Sequence, residues 1–303
     1  MRKLKHDHLI EAISAYKRGN DPCFVFPWAP GGNLRDLWAR DTRCTHQQMR
    51  QWAWGQFRGL ADGLKKLHDE GTRHGDLKPE NILVFGGGGG SELGPLVIAD
   101  VGIAKFHADE TRQRQAQGFV TTSNHGTLRY EPPEIELYKP TAISRKYDSW
   151  SFGCVLLEFI IWLLRGTAGQ KRFHDERTAR PYHDCFWDQS SSGYPILHPV
   201  VKKWINKELS GDLAAAPALR DLVKLVAHHL LVAAVDSRAY IRQFCEKLQD
   251  IHNKCSADPL YLWNGPDSVL AKPKNLVAQE PDHLILPVSQ QVGSIARLGF
   301  NFF

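Results

Sequence analysis

The chain has 303 residues, 42% hydrophobic and 23% charged, an ordinary globular composition sufficient for one large domain or two modest ones. Lys and Arg number 38 against 33 Asp and Glu; this mild excess is spread along the chain without a long basic run, which argues against a dedicated nucleic-acid surface. The start, MRKLKHDHLIEAI, is basic with no apolar stretch behind it, which argues against a secretory signal.

In chain order, residues 9–16 and 23–28 are short, largely apolar runs separated by Lys17-Arg18-Gly19-Asn20-Asp21-Pro22, a turn signal that predicts a strand pair. Leu34–Ala39 is a candidate short helix. Gln47–His68 carries Ala53, Phe57, Leu60, Leu64 and Leu67 at spacings of four, three, four and three, the apolar stripe of a core-facing helix. Gly71 stands where a C-terminal cap is expected. Ile82–Phe85 and Leu96–Ala99 are short apolar runs flanking Gly86–Gly90. That glycine run lacks a Gly-Lys-Ser/Thr ending and no helix follows it, so it reads as an enlarged loop between paired strands.

Beyond residue 133 the chain reads as mostly helical. Trp150–Arg165 is apolar nearly all round and predicts a helix buried on every side. Its most apolar part, Val155–Leu164, contains Glu158 and is too short to span a bilayer. Helices are expected over 200–209, 222–235 and 237–252, an irregular loop over 166–197, and a loosely packed tail from about residue 256. His228 and His229 have no partners at metal spacing, and Trp187 is a candidate peptide contact. The six cysteines (Cys23, Cys44, Cys154, Cys185, Cys245, Cys255) contain no CxxC pair. They read as reduced thiols in an intracellular protein, cytoplasmic or nuclear.

The chemistry concentrates in His74-Gly75-Asp76-Leu77-Lys78-Pro79-Glu80-Asn81. Phosphoryl transfer to a hydroxyl needs a carboxylate beside the nucleophile, a cation near the transferred group and a metal ligand within reach. Asp76, Lys78 and Asn81 supply these on one loop between a helix and a strand. Asp100-Val101-Gly102 follows nineteen residues after Asn81; alone it is a common turn, but at the end of the second strand it is a candidate metal-holding carboxylate.

These motifs resemble those of the eukaryotic protein kinases. His74-Gly75-Asp76 is similar to the catalytic His-Arg-Asp, and Asp100-Val101-Gly102 to the Asp-Phe-Gly turn. Gly126–Glu134 (GTLRYEPPE) resembles the substrate-docking loop ending in Ala-Pro-Glu, and Asp148–Gly153 (DSWSFG) the start of the buried central helix. Arg238 matches the late arginine that pairs with the Glu134 position. The motifs occur in family order over residues 10–252.

The resemblance implies an α+β, mainly α, protein-kinase-like fold: a helical large lobe with only a remnant of the β-rich small lobe. It divides the chain into a remnant and hinge (1–32), a large lobe (33–255) and a tail (256–303). It implies Ser/Thr specificity, from Lys78 and Thr127, with ATP and Mg²⁺ as cofactors. Asp76 would take or orient the hydroxyl proton and Lys78 would steady the γ-phosphate. Asn81 and Asp100 would hold Mg²⁺. Backbone groups at Pro27 and Ala29 would meet adenine, with Phe26 as gatekeeper, Leu83 beneath the ring and Asn33 near the ribose.

The chain also departs from the family. No Gly-x-Gly-x-x-Gly loop, strand lysine or partner glutamate helix fits before residue 9, so weak ATP clamping and a poor enzyme are expected. Apolar surface around Val25, Phe26 and Leu83 would then invite a protein partner or aggregation. Gly75 replaces the arginine that reads a phosphate on the activation segment, which disfavours switching at Thr121, Thr122 or Ser123 by that route. Besides a kinase acting on protein Ser/Thr, with no nucleic-acid or membrane partner, a non-catalytic binding scaffold remains open.

Overall fold

The computed structural model describes residues 5–19, 21–40, 47–86, 94–101, 128–140, 142–179 and 184–264. They fall into two compact units, one of residues 5–10 with 29–264 and one of residues 11–28.

The smaller unit is a hairpin of β1 (Ser14–Arg18) and β2 (Asp21–Val25), antiparallel, with Ser14 opposite Val25 and Arg18 opposite Asp21. These strands are shifted from the expected runs 9–16 and 23–28. Pro27 cannot donate to a ladder, while Lys17 and Arg18 pair through their backbones and extend the first strand. Tyr16, Phe24, Val25, Phe26 and Trp28 are exposed.

In the larger unit Leu9 is buried and forms a bridge with Ile98. Helix α1 (Leu34–Ala39) starts at Asn33, whose Oδ1 accepts the Asp36 N–H while the Asp36 carboxylate accepts the Asn33 N–H, a capping box. Helix α2 (Gln47–Asp69) matches expectation, and Ala53, Phe57, Leu60, Leu64 and Leu67 are all buried. Strands β3 (Ile82–Val84) and β4 (Leu96–Ile98) pair antiparallel as predicted. Ile82 and Val84 are buried while Leu83 is half-exposed, the alternation of a strand with one face on the core.

Helix α3 (Pro133–Tyr138) precedes the long α4 (Lys146–Thr178), around which the core is built. By length and composition α4 could cross a membrane, but most of its apolar stretch is buried in the fold, which accounts for that composition. Its middle carries one interruption, Gly166 at φ 64°, ψ −165°, a backbone conformation open to glycine at little cost.

Over most of its described residues, the irregular loop expected over 166–197 is replaced by helix and a hairpin. The chain re-enters helix after Gly166, burying Gly169, Phe173 and Arg177 at four-residue spacing. With one conventional hydrophobic residue among those three, the stripe is invisible to a hydropathy reading. A hairpin of β5 (Trp187–Gln189) and β6 (Pro195–Leu197) follows. Trp187 is buried in the core and not available to a peptide, contrary to expectation.

The helices expected over 200–209 and 222–235 are each broken. Helix α5 (Pro199–Lys203) passes into a π turn at Trp204–Glu208. After α6 (Ser210–Ala214), α7 (Pro217–Leu225) passes into a second π turn at Val226–Leu230. The last helix, α8 (Ile241–Ala257), begins four residues later than expected. Thr121, Thr122, Ser123 and Thr127, and residues 265–303 of the expected tail, lie outside the described residues.

Candidate active site

The loop joining α2 to β3 is held from below by one buried carboxylate. Asp148, in the first turn of α4, accepts the backbone N–H of His74 (2.8 Å) and of Gly75 (2.8 Å), and meets His68 Nε2 at 2.7 Å. Burial alone would raise its pKa; the hydrogen bonds it accepts, that of His68 foremost, outweigh burial and hold it below the usual carboxylate value. Gly75 bends the loop at φ 83°, a left-handed conformation that costs a residue with a Cβ about 1–2 kcal/mol. Glycine in place of the family's arginine therefore has a local backbone reason.

The buried His74 ring accepts the Asp76 N–H at Nδ1 (3.3 Å) and lies with Nε2 2.8 Å from the Ala99 carbonyl. Since Nδ1 accepts, Nε2 carries the proton and donates. This one ring ties the catalytic-type loop to the end of β4.

Around it the candidate groups converge. Lys78 Nζ is 2.7 Å from Asp76 Oδ2. Asn81 Nδ2 donates to the Asp76 carbonyl (2.8 Å) and to Asp76 Oδ2 (3.2 Å). Asn81 closes a 3₁₀ turn, Pro79–Asn81, and its carbonyl accepts the Ala99 N–H at 2.8 Å. Asp100, exposed and at φ 57°, is the next residue.

The oxygen chemistry suits Mg²⁺. With the Asn81 amide nitrogen engaged by Asp76, its Oδ1 is the atom left for a hard cation, and Asp100 adds a carboxylate beyond the strand end. Mg²⁺ takes one or two such protein oxygens and completes its octahedron with water and phosphate. Among the described residues no cluster of three His, Cys, Asp or Glu side chains with metal-ligand geometry occurs.

Of the groups expected around adenine, Ala29, Asn33 and Leu83 belong to the larger unit and Pro27 to the smaller. Residues 29–33 are sewn to β3: Gly31 N–H donates to the Val84 carbonyl (3.0 Å), Val84 N–H to the Gly32 carbonyl (2.9 Å), and Asn33 bridges Leu83. The Ala29 carbonyl accepts the Gly32 N–H at 3.0 Å. Asn33 Oδ1 serves as the helix cap, so a ribose contact would fall to its amide nitrogen.

The Glu134–Arg238 pair is present and bidentate, at 2.7 and 2.9 Å, with Arg238 fully buried. Sequence reasoning missed a second polar cluster, in which Tyr130 O–H donates to Glu158 at 2.6 Å among the guanidinium groups of Arg35, Arg129 and Arg177. The available signal was Glu158 itself, a lone carboxylate inside an apolar run.

Comparison with known proteins agrees with this geometry. A family model described as protein kinase domain matches residues 1–180, more than half of the chain. The chain belongs to the protein kinase family, and its mainly helical fold is protein-kinase-like. It is 27% identical over 246 residues to a probable myosin light chain kinase of Dictyostelium discoideum, covering 79% of this chain and 44% of that protein. A serine/threonine-protein kinase H1 homolog of Danio rerio is 28% identical over 73% of this chain and 49% of its own length. CBL-interacting protein kinase 5 of rice is 27% identical over 100% of this chain and 57% of its own. The chain thus spans about half the length of the curated relatives it matches.

Proposed function

We propose that this chain is a protein serine/threonine kinase that transfers the γ-phosphate of ATP to a Ser or Thr hydroxyl of a protein substrate. The observation that carries this reading is the shared contact at Asp76 Oδ2, reached by Lys78 Nζ at 2.7 Å and Asn81 Nδ2 at 3.2 Å. A carboxylate, a cation and a metal-ligand amide are assembled within six consecutive residues on a loop clamped by Asp148.

The partly exposed Asp76 carboxylate can accept the hydroxyl proton of an incoming Ser or Thr or orient that hydroxyl for attack. Lys78 stands beside it, where charge builds on the transferred phosphoryl group. Asn81 and Asp100 would hold Mg²⁺, which when bound neutralises the phosphates and aligns them. The backbone of Ala29 would meet adenine. Leu83 would pack beneath the ring. The reduced-thiol reading of the cysteines supports an intracellular location; Cys154, Cys185, Cys245 and Cys255 form no disulfide.

Asp76→Asn tests the reading. It preserves shape and removes the proton acceptor, so transfer of labelled γ-phosphate to a Ser/Thr protein acceptor should fall about 10²–10⁴-fold. Undiminished transfer would overturn the assignment.

A further inference from the structure

The cluster under the candidate site has a feature that its charges alone do not require. The carboxylate of Glu158 accepts the Tyr130 hydroxyl and is approached by Arg35, Arg177 and Arg129 at 3.6, 3.7 and 3.9 Å. Asp184 balances the two deeper arginines, accepting from Arg129 Nε at 2.8 Å and lying 3.1 Å from Arg177. Arg177 is fully buried over the rings of Phe186 and Phe173. These two arginines pack α4 against the segment before β5.

Arg35 is different, because it reaches the catalytic-type loop. Its Nε donates to Glu80 Oε1 at 3.0 Å, its Nη2 to the Tyr130 hydroxyl, and its Nη1 faces Glu158. Its guanidinium also lies 5.3 Å from the Trp38 ring centroid. One planar group therefore links α1, the 3₁₀ turn holding Glu80 and Asn81, the turn Leu128–Tyr130 and α4. Glu80 directly precedes Asn81, whose amide holds the Asp76 carboxylate. Burial opposes the charge on Arg35, but Tyr130, Glu158 and Glu80 outweigh it and keep the group firmly protonated.

We infer that Arg35 is a positioning residue for phosphoryl transfer: through Glu80 and Tyr130 it locks the Asn81 turn and the docking segment onto α4, so that Asp76 and Asn81 keep their mutual placement. This rests on the kinase reading. The geometry requires arginine in particular. A guanidinium sends donors in three directions from one rigid plane, whereas a lysine ammonium is a single point on a flexible stem.

The test uses the full chain with Arg35→Lys, Arg35→Ala and Glu80→Gln, the last at a half-exposed side chain whose loss leaves the core untouched. Two readouts are taken: kcat and KM for ATP and acceptor, and hydrogen exchange of the Asn81 amide, which is bonded to the Lys78 carbonyl at 3.0 Å. Arg35→Lys is expected to lower kcat about 10–100-fold, as misplacement of reacting groups does, with KM for ATP within about twofold. Exchange at Asn81 should quicken about tenfold, and Glu80→Gln should move both in the same direction by less.

Wild-type kcat and Asn81 exchange in Arg35→Lys would overturn the inference, since charge without the fork would then suffice. If Arg35→Ala fails to fold, Arg35→Lys and Glu80→Gln decide. Loss of transfer in Asp76→Asn beside unchanged kinetics and exchange in Arg35→Lys would overturn the positioning role alone. Undiminished transfer in Asp76→Asn would overturn the kinase reading and this inference with it.

Discussion

The residue with the most informative titration is Glu131, one position beyond Tyr130. Burial first, then the like charges of Asp76 and Glu136, push its carboxyl up to about 7, against a partial opposing effect of the Tyr147 hydroxyl. The folded protein therefore prefers Glu131 protonated. Its contribution to stability is complete below the ordinary value of 4.5 and is lost as pH rises toward 7. Glu131→Gln is expected to flatten that part of the stability profile. In thermal melts the variant should gain on wild type at pH 7.5 relative to pH 5; parallel profiles would refute the assignment. Asp76, Lys78 and Asn81 were legible in the sequence because they are near neighbours on one loop. The role of Asp148 was not, since its partners His68, His74 and Gly75 lie more than seventy residues upstream.

At the scale of elements, Glu134 and Arg238 join the start of α3 to the turn before α8, 104 residues apart. Arg238 also donates through Nε to the Val232 carbonyl (2.8 Å) and sits 5.0 Å from the Trp150 ring centroid. Removing one member leaves an uncompensated buried charge, which typically costs about 3–5 kcal/mol. Glu134→Ala should therefore lower the unfolding free energy measured in urea by that amount, through a lower midpoint at unchanged slope; a loss under about 1 kcal/mol would mean that water reaches the guanidinium. α2 was readable from its stripe because five large or small apolar residues recur on one face. The second half of α4 was not, because its buried face is Gly169, Phe173 and Arg177. The Arg177 charge faces Glu158, earlier on the same helix, and Asp184, just beyond its end, and neither pairing is marked by a hydrophobic period.

For the larger unit as a whole, α4 is the axis. Phe159 is fully buried with its ring 4.9 Å from Phe57, 5.7 Å from Trp162, 5.9 Å from Trp38 and 6.0 Å from Trp52. It therefore joins α1, α2 and α4 in one aromatic cluster. Phe159→Ala should cost about 3–5 kcal/mol and lower the unfolding midpoint by about 10 °C. Far-UV dichroism should then show loss of α1, α2 and α4 in a single transition; a separate early melt of α1 would contradict a shared core.

The sequence by itself determined the family, the closeness of Asp76, Lys78 and Asn81 on one loop and the helical character of the large unit. Each of these is written in residues close together, where spacing and periodicity translate directly into geometry. Only the tertiary structure decided which buried charges are compensated, where the long helix breaks and re-forms, and that Trp187 faces the core. Those outcomes depend on contacts between residues distant along the chain, and a charged or polar residue reads as surface until its partner is in place.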